Sequence, residues 1–175
     1  NEKIVQISNL IAKSIENGGK ILSCGNGGSA ADAQHLAAEL LVRLRPDVNR
    51  QGIPAIALAM DTSSITATGN DYGFEFHYER MATAIGNPGD ILVGITTSGL
   101  SENINNALRS ARKKGLTTIG LLGSNGGNAV KECDLSIIVP SNTTGRIQES
   151  HIAIIHVIME LVEDMLISSG YLEPV

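Results

Sequence analysis

The feature that most limits what this chain can fold into is a five-fold alternation. A short apolar run leads into a turn rich in glycine, hydroxyls or other polar residues, and stretches with helical spacing separate the runs. The apolar runs are Lys20 to Cys24, Pro54 to Leu58, Ile91 to Ile95, Leu116 to Leu122 and Leu135 to Val139. Each is too short for a helix and shows no polar face, as expected of strands covered on both sides. Helical spacing runs from Glu2 to about Asn17, with Ile4, Ile7, Leu10, Ile11 and Ile15 on one side, and Gly18-Gly19 stops it. A second helix, capped by Ser29 with Asp32 as its capping-box partner, is expected to reach about Leu44, before Pro46. The polar stretch Asp61 to Gly73 predicts a short helix and a loop; Phe74 to Ile85, Glu102 to Lys114 and about Arg146 to Ser168 predict helices. Strands alternating with helices imply right-handed βαβ crossovers. The expected fold is therefore α/β: a three-layer αβα domain with a five-stranded parallel sheet, one unit over residues 1–175.

In such sheets ligands bind beyond the carboxyl ends of the strands. The first such loop, Cys24-Gly25-Asn26-Gly27-Gly28-Ser29, lacks the lysine of a P-loop and the dinucleotide spacing. Its glycines let backbone N–H groups approach an anion or a sugar oxygen; it also reads as a plain tight turn. Another, Thr96-Thr97-Ser98-Gly99-Leu100-Ser101, places four hydroxyls in six residues ahead of a helix. That density suits the acceptor oxygens of a phosphate without any cation, although Ser101 alone would serve as an N-cap.

His35 and Glu39 share one helix face at i and i+4 and can ligate one metal. On the residues alone an exposed pair or a core contact is the stronger reading. Gln148 and His156 lie two turns apart on the last helix. An isolated His156 there is more often structural than functional. His151 is expected to be partly exposed, without a role. Asn70-Asp71 falls in the expected loop, where it suits sugar hydroxyls or an Asx turn. Arg43 and Arg45 read as a solvated helix end, and Cys24 as a packed strand residue.

The net charge of −5 argues against a nucleic-acid surface, which needs a basic face. Two distant cysteines form neither a disulfide framework nor a zinc spacing, implying a reducing compartment. The most apolar run, Ile152 to Met159, is interrupted by His156 and too short to span a bilayer. With no signal-like start, the expectation is a cytoplasmic protein with no membrane partner. The chain begins at Asn1 without Met, so preceding residues can be missing. The last helix is apolar almost all round, which predicts an interface helix and a homo-oligomer.

Taken in order, Ser23 to Ser29, the Asp32–Glu39 helix, Gly69-Asn70-Asp71-Tyr72-Gly73-Phe74, Thr96 to Asn103 and Arg146-Ile147-Gln148-Glu149 resemble the motifs of the SIS (sugar isomerase) domain family. Within it the chain is most similar to bacterial phosphoheptose isomerases, from Gly19 to the last helix. The resemblance implies an SIS, flavodoxin-like fold and a tetramer with active sites between subunits. It implies one zinc per subunit on His35, Glu39, Gln148 and His156. It implies sugar-phosphate contacts from Asn26, Gly27, Gly28, Ser29, Glu39, Asn70, Asp71, Thr96, Thr97, Ser98, Ser101 and Gln148. The reaction it implies is aldose–ketose isomerisation of sedoheptulose 7-phosphate through an enediol, with Glu39 as base and His156 as acid. One departure is Gly145, where some relatives carry Asp before the Arg-Ile-Gln-Glu motif. Three rival expectations accompany this one. One is a non-catalytic SIS protein that binds a replication initiator and lacks the histidine matching His156. The others are a sugar-phosphate-sensing module and an isomerase of another substrate.

Overall fold

The computed structural model describes residues 2–173. Five strands form one sheet: β1 (Ile21–Gly25), β2 (Ala55–Ala57), β3 (Ile91–Thr96), β4 (Thr117–Gly123) and β5 (Leu135–Val139). Six α-helices accompany them: α1 (Glu2–Glu16), α2 (Gly28–Leu41), α3 (Thr62–Asp71), α4 (His77–Ile85), α5 (Glu102–Lys114) and α6 (Thr144–Ser168). The strand order is β2-β1-β3-β4-β5 and every pairing is parallel, in agreement with the expected three-layer fold.

Because side chains alternate across a strand, the unbroken apolar runs feed two cores. Ile21, Ile91, Val93, Ile95, Ile119 and Leu121 pack with α1, α2 and α6. Leu22, Cys24, Leu92 and Leu122 pack with α4 and α5. Burial raises the Cys24 thiol far above its ordinary range, so it is a packed strand residue rather than a nucleophile. Gly115 closes α5 in a left-handed cap, directly after the expected helix end at Lys114.

Four local expectations are corrected. Ser29 does not cap α2, and Asp32 is no capping partner. Gly27 is the N-cap, at φ 57°, and no side chain bonds there. The left-handed glycine turns the chain directly into the helix and leaves Ser29 inside the first turn. Helix α2 ends at Leu41 rather than Leu44, because Arg50 donates to the carbonyls of Glu39 (2.8 Å), Leu40 (3.0 Å) and Val42 (3.3 Å). Asn70 and Asp71 stand in the last turn of α3, not in a loop. Asp61 starts that helix by accepting from the Ser63 N–H at 3.1 Å, and helical order then runs through Asp71. Finally, Arg45 is not a solvated helix end: it pairs with Glu163 and Asp164 of α6, each at 2.6 Å.

Candidate active site

The strand order reverses between β1 and β3, and the loops that leave these two strands stand side by side. That switch point is the expected ligand crevice of a parallel sheet. A pair of amides joins the two loops. Asn26 donates to Asn103 at 2.9 Å and Asn103 donates back at 2.8 Å. Tyr78 reinforces the first loop by donating its buried hydroxyl to the Gly25 carbonyl.

The hydroxyl loop is internally ordered. Thr96 Oγ1 lies 3.3 Å from Ser101 Oγ and accepts from the Gly99 N–H at 3.2 Å, while Ser98 Oγ accepts from the Leu100 N–H at 3.1 Å. Thr97 and Ser101 are half-buried and Ser98 is exposed, so hydroxyls remain accessible at the start of α5. Ser101 is the N-cap residue of α5, yet its side chain makes no capping bond. The hydroxyl is therefore not spent on the helix. Gly99 is pressed against the backbone of Gly126 and Gly127, where a Cβ would come within 2.1 Å of the Gly126 oxygen. The loop after β4 is thus a back wall for the hydroxyl loop.

The second half of the site lies along the seam between α2 and α6. His35 Nε2 is 3.1 Å from Glu39 Oε1, as the i,i+4 spacing predicts. Across the seam, His35 Nε2 is 2.9 Å from His156 Nε2. Ligand atoms of His35, Glu39 and His156 all lie within 4.8 Å of one another, and all three residues are half-buried. Two neutral imidazole nitrogens and a carboxylate oxygen at this spacing fit a zinc ion. Alone, two ring nitrogens at 2.9 Å can satisfy each other only if one gives up its lone pair to a proton, and a metal removes that need.

Gln148 is half-buried on α6 and packs on the glycine turn, where a Cβ on Gly28 would fall 2.2 Å from Gln148 Nε2. It therefore joins the first loop to the seam. Asn70 and Asp71 are exposed on α3, with the Asn70 amide donating to Asp71 at 2.7 Å. Asp71 lines an open cleft of about 510 Å³ with Ser64, Tyr72 and Arg80, and no residue of the two loops lines it. Gly145 sits in the first turn of α6 with open space around its Cα.

Some of the site escaped the residue-by-residue reading. Asn103 has no role that its place in the Thr96–Asn103 motif reveals, yet it locks the two loops together. Arg50 had no local signal, because its partners lie up to 113 positions away. His151 is fully buried, contrary to the expected partial exposure, because its ring reaches under β4 to the Leu122 carbonyl at 3.1 Å.

Comparison with known proteins agrees with this geometry. Residues 1–123 match the SIS domain family. A phosphoheptose isomerase of Chlorobaculum parvum is 53% identical over 167 residues, covering 95% of this chain and 80% of that one. The phosphoheptose isomerase structure from Neisseria gonorrhoeae superposes with a TM-score of 0.87 at 42% identity, over 93% of this chain and 86% of the other. That from Francisella tularensis gives 0.89 at 39% identity, over 94% and 86%. The crevice at the switch point, the hydroxyl loop and the His–Glu–His seam thus belong to a chain of the SIS-domain family, within its phosphoheptose isomerase branch.

Proposed function

We propose that this enzyme interconverts sedoheptulose 7-phosphate and D-glycero-D-manno-heptose 7-phosphate, at the head of ADP-heptose supply for the lipopolysaccharide inner core. The observation that carries this reading is the convergence of His35, Glu39 and His156 within 4.8 Å, on the seam that leads from the glycine turn. Aldose–ketose isomerisation needs a base for the proton α to the carbonyl, an acid for the carbonyl oxygen, and stabilisation of the enediol between them. Glu39 takes the carbon-bound proton and returns it to the neighbouring carbon; His156 serves the oxygens. No atom is gained or lost. A zinc ion on His35, Glu39, His156 and Gln148 would polarise the carbonyl oxygen.

The phosphate is assigned to Thr96, Thr97, Ser98 and Ser101, held by hydroxyls and the first N–H groups of α5. Asn26, Gly27, Gly28 and Ser29 hold the sugar, with Gln148 packed over the turn. Asn70 and Asp71 would reach sugar hydroxyls from α3. The cleft that Asp71 lines shares no residue with the two loops, which supports a site completed by a second copy. The same holds for apolar side chains left open: Val42 is 67% exposed at the end of α2 and Val157 43% on α6. A cytoplasmic homotetramer is the assembly this reading carries. No helix among the described residues is long and apolar enough to cross a membrane. The presence of His156, 2.9 Å from His35, supports the enzyme over an initiator-binding relative that lacks this histidine.

The test is incubation of metal-analysed protein with sedoheptulose 7-phosphate, with aldose formation followed by NMR and His156→Ala as the control. Conversion that vanishes in the control is the expected result. A folded, zinc-loaded protein that converts nothing would overturn the assignment.

A further inference from the structure

The two loops of the crevice belong to a closed ring of hydrogen bonds. Its three corners are the glycine turn after β1, the first turns of α5, and the segment from Phe74 to Tyr78, which holds a 3₁₀ turn (Phe74–Phe76) and starts α4. Asn26 and Asn103 exchange two amide bonds, at 2.9 and 2.8 Å, and join the turn to α5. Asn106, three residues further along α5, donates to the Glu75 carbonyl at 3.2 Å. Tyr78 donates to the Gly25 carbonyl and closes the ring. Asn103, Asn106 and Tyr78 are all buried. A buried polar side chain is costly unless it is bonded, so each of the three is held to its partner.

The sides of the ring are not alike. Asn106 and Tyr78 bond to main-chain carbonyls, which every residue carries. Asn26 and Asn103 bond side chain to side chain. Each gives one N–H and accepts one, so the pair exists only when both residues are amides. Asn103 also accepts from the Ile104 N–H at 3.0 Å, which anchors its amide in its own helix. The pair joins two helix starts with different tasks. Ser101, two residues before Asn103, is the N-cap of α5 and ends the hydroxyl loop. Asn26 immediately precedes Gly27, the N-cap of α2, and His35 follows about two turns into that helix. Tying Asn26 to Asn103 therefore ties the hydroxyl loop to the helix that carries His35 and Glu39.

We propose that the Asn26–Asn103 pair is a positioning element that sets the span between the phosphate cradle and the proton-transfer groups. This rests on the isomerase reading above. Asn26, assigned to the sugar there, acts in this scheme through its partner, and neither amide touches a reacting atom. The phosphate is then a handle whose binding orients the carbon chain at the other end of the crevice. A misplacement of about 1 Å is enough to cost about 10²-fold in rate.

The experiment uses the full chain, with inorganic phosphate as the probe of the cradle and sedoheptulose 7-phosphate as the substrate. In the unchanged protein the side-chain N–H groups of Asn26 and Asn103 are expected to exchange slowly with solvent. Asn26→Ala leaves α5 unaltered and Asn103→Ala leaves the glycine turn unaltered, and each removes the same pair. In each, kcat is expected to fall about 10²-fold. Phosphate binding, followed by NMR through the amides of Thr97 to Ser101, is expected to keep the affinity of the unchanged protein. The double variant is expected to lose no more than the worse single one, because members of one bonded unit do not add. Near-normal kcat in both single variants, or a double loss equal to the product of the two, would overturn the proposal. Phosphate affinity that falls in step with kcat means a collapsed cradle rather than a lost span, and overturns it as well. Fast side-chain exchange in the unchanged protein does so even if no variant folds. Absent turnover or phosphate binding in the unchanged protein is the failure of the reading on which the span rests; turnover there with any of the preceding results is the failure of the span alone.

Discussion

Replacing Arg50 with Met is expected to cost more stability than any single change at the crevice. The side chains of Arg50 and Glu163 are each 2% exposed, and Nε meets Oε1 at 2.5 Å. The same guanidinium closes the end of α2 through the carbonyls of Glu39, Leu40 and Val42, and bonds Gln51 as well. Methionine keeps the stem but leaves Glu163 short of a partner in a dry site and the helix-end carbonyls uncapped. Breaking a buried pair by removing one member costs about 3–5 kcal/mol. Arg45, which also bonds Glu163 at 2.6 Å, holds the loss toward the lower end. In a chain of this size about 2–4 °C of melting temperature is lost per kcal/mol, so the midpoint should fall by roughly 6–20 °C. The assay is thermal and urea unfolding of the zinc-free protein. Arg50→Lys can meet the carboxylate but cannot reach the carbonyls at the same time, so it should fall between the two. A loss below about 1 kcal/mol in Arg50→Met, the size of an exposed pair, would refute the view that this clamp holds α2 to α6.

Three further changes probe the site. Gly28→Ala should leave unfolding almost unaltered, since alanine favours a helix by about 1 kcal/mol, while its Cβ displaces Gln148; a fall in kcat/KM of about 10²-fold is expected, and unchanged kinetics would remove Gln148 from the site. Ser98→Ala with Ser101→Ala should reduce kcat/KM for the phosphorylated sugar by about tenfold or more per hydroxyl; wild-type kinetics on the phosphorylated sugar would undo the phosphate cradle. Glu39→Gln should lower kcat by about 10²–10⁴-fold with zinc content measured alongside, and near-normal turnover with metal retained would show that Glu39 is not the base.

How much of this was readable depended on distance along the chain. His35 and Glu39 are four residues apart on a helix, so their shared face follows from helical geometry and the structure places them 3.1 Å apart. The hydroxyl loop was visible as a dense local string. His156, by contrast, reads as an isolated polar residue in an apolar helix until α6 docks on α2. Asn103 looked like one polar residue among many at the start of α5, and only strand adjacency brings it to Asn26. Asn70 and Asp71 were misplaced because Asp61 caps a helix that continues further than the polar composition suggested.

The sequence by itself determined the class of fold, the five strands, and which strand ends carry glycines and hydroxyls. Those follow from local periodicity and from the need to bury every apolar run, which the chain expresses within a few residues. Only the tertiary structure decided which loops meet, which helices face each other, and which polar groups pair between them. Arg50 and Glu163 lie 113 positions apart, and His35 and His156 lie 121 apart. Contacts of that kind are set by sheet order and helix docking, where burial energy summed over the whole core selects a register that no short stretch of chain can encode.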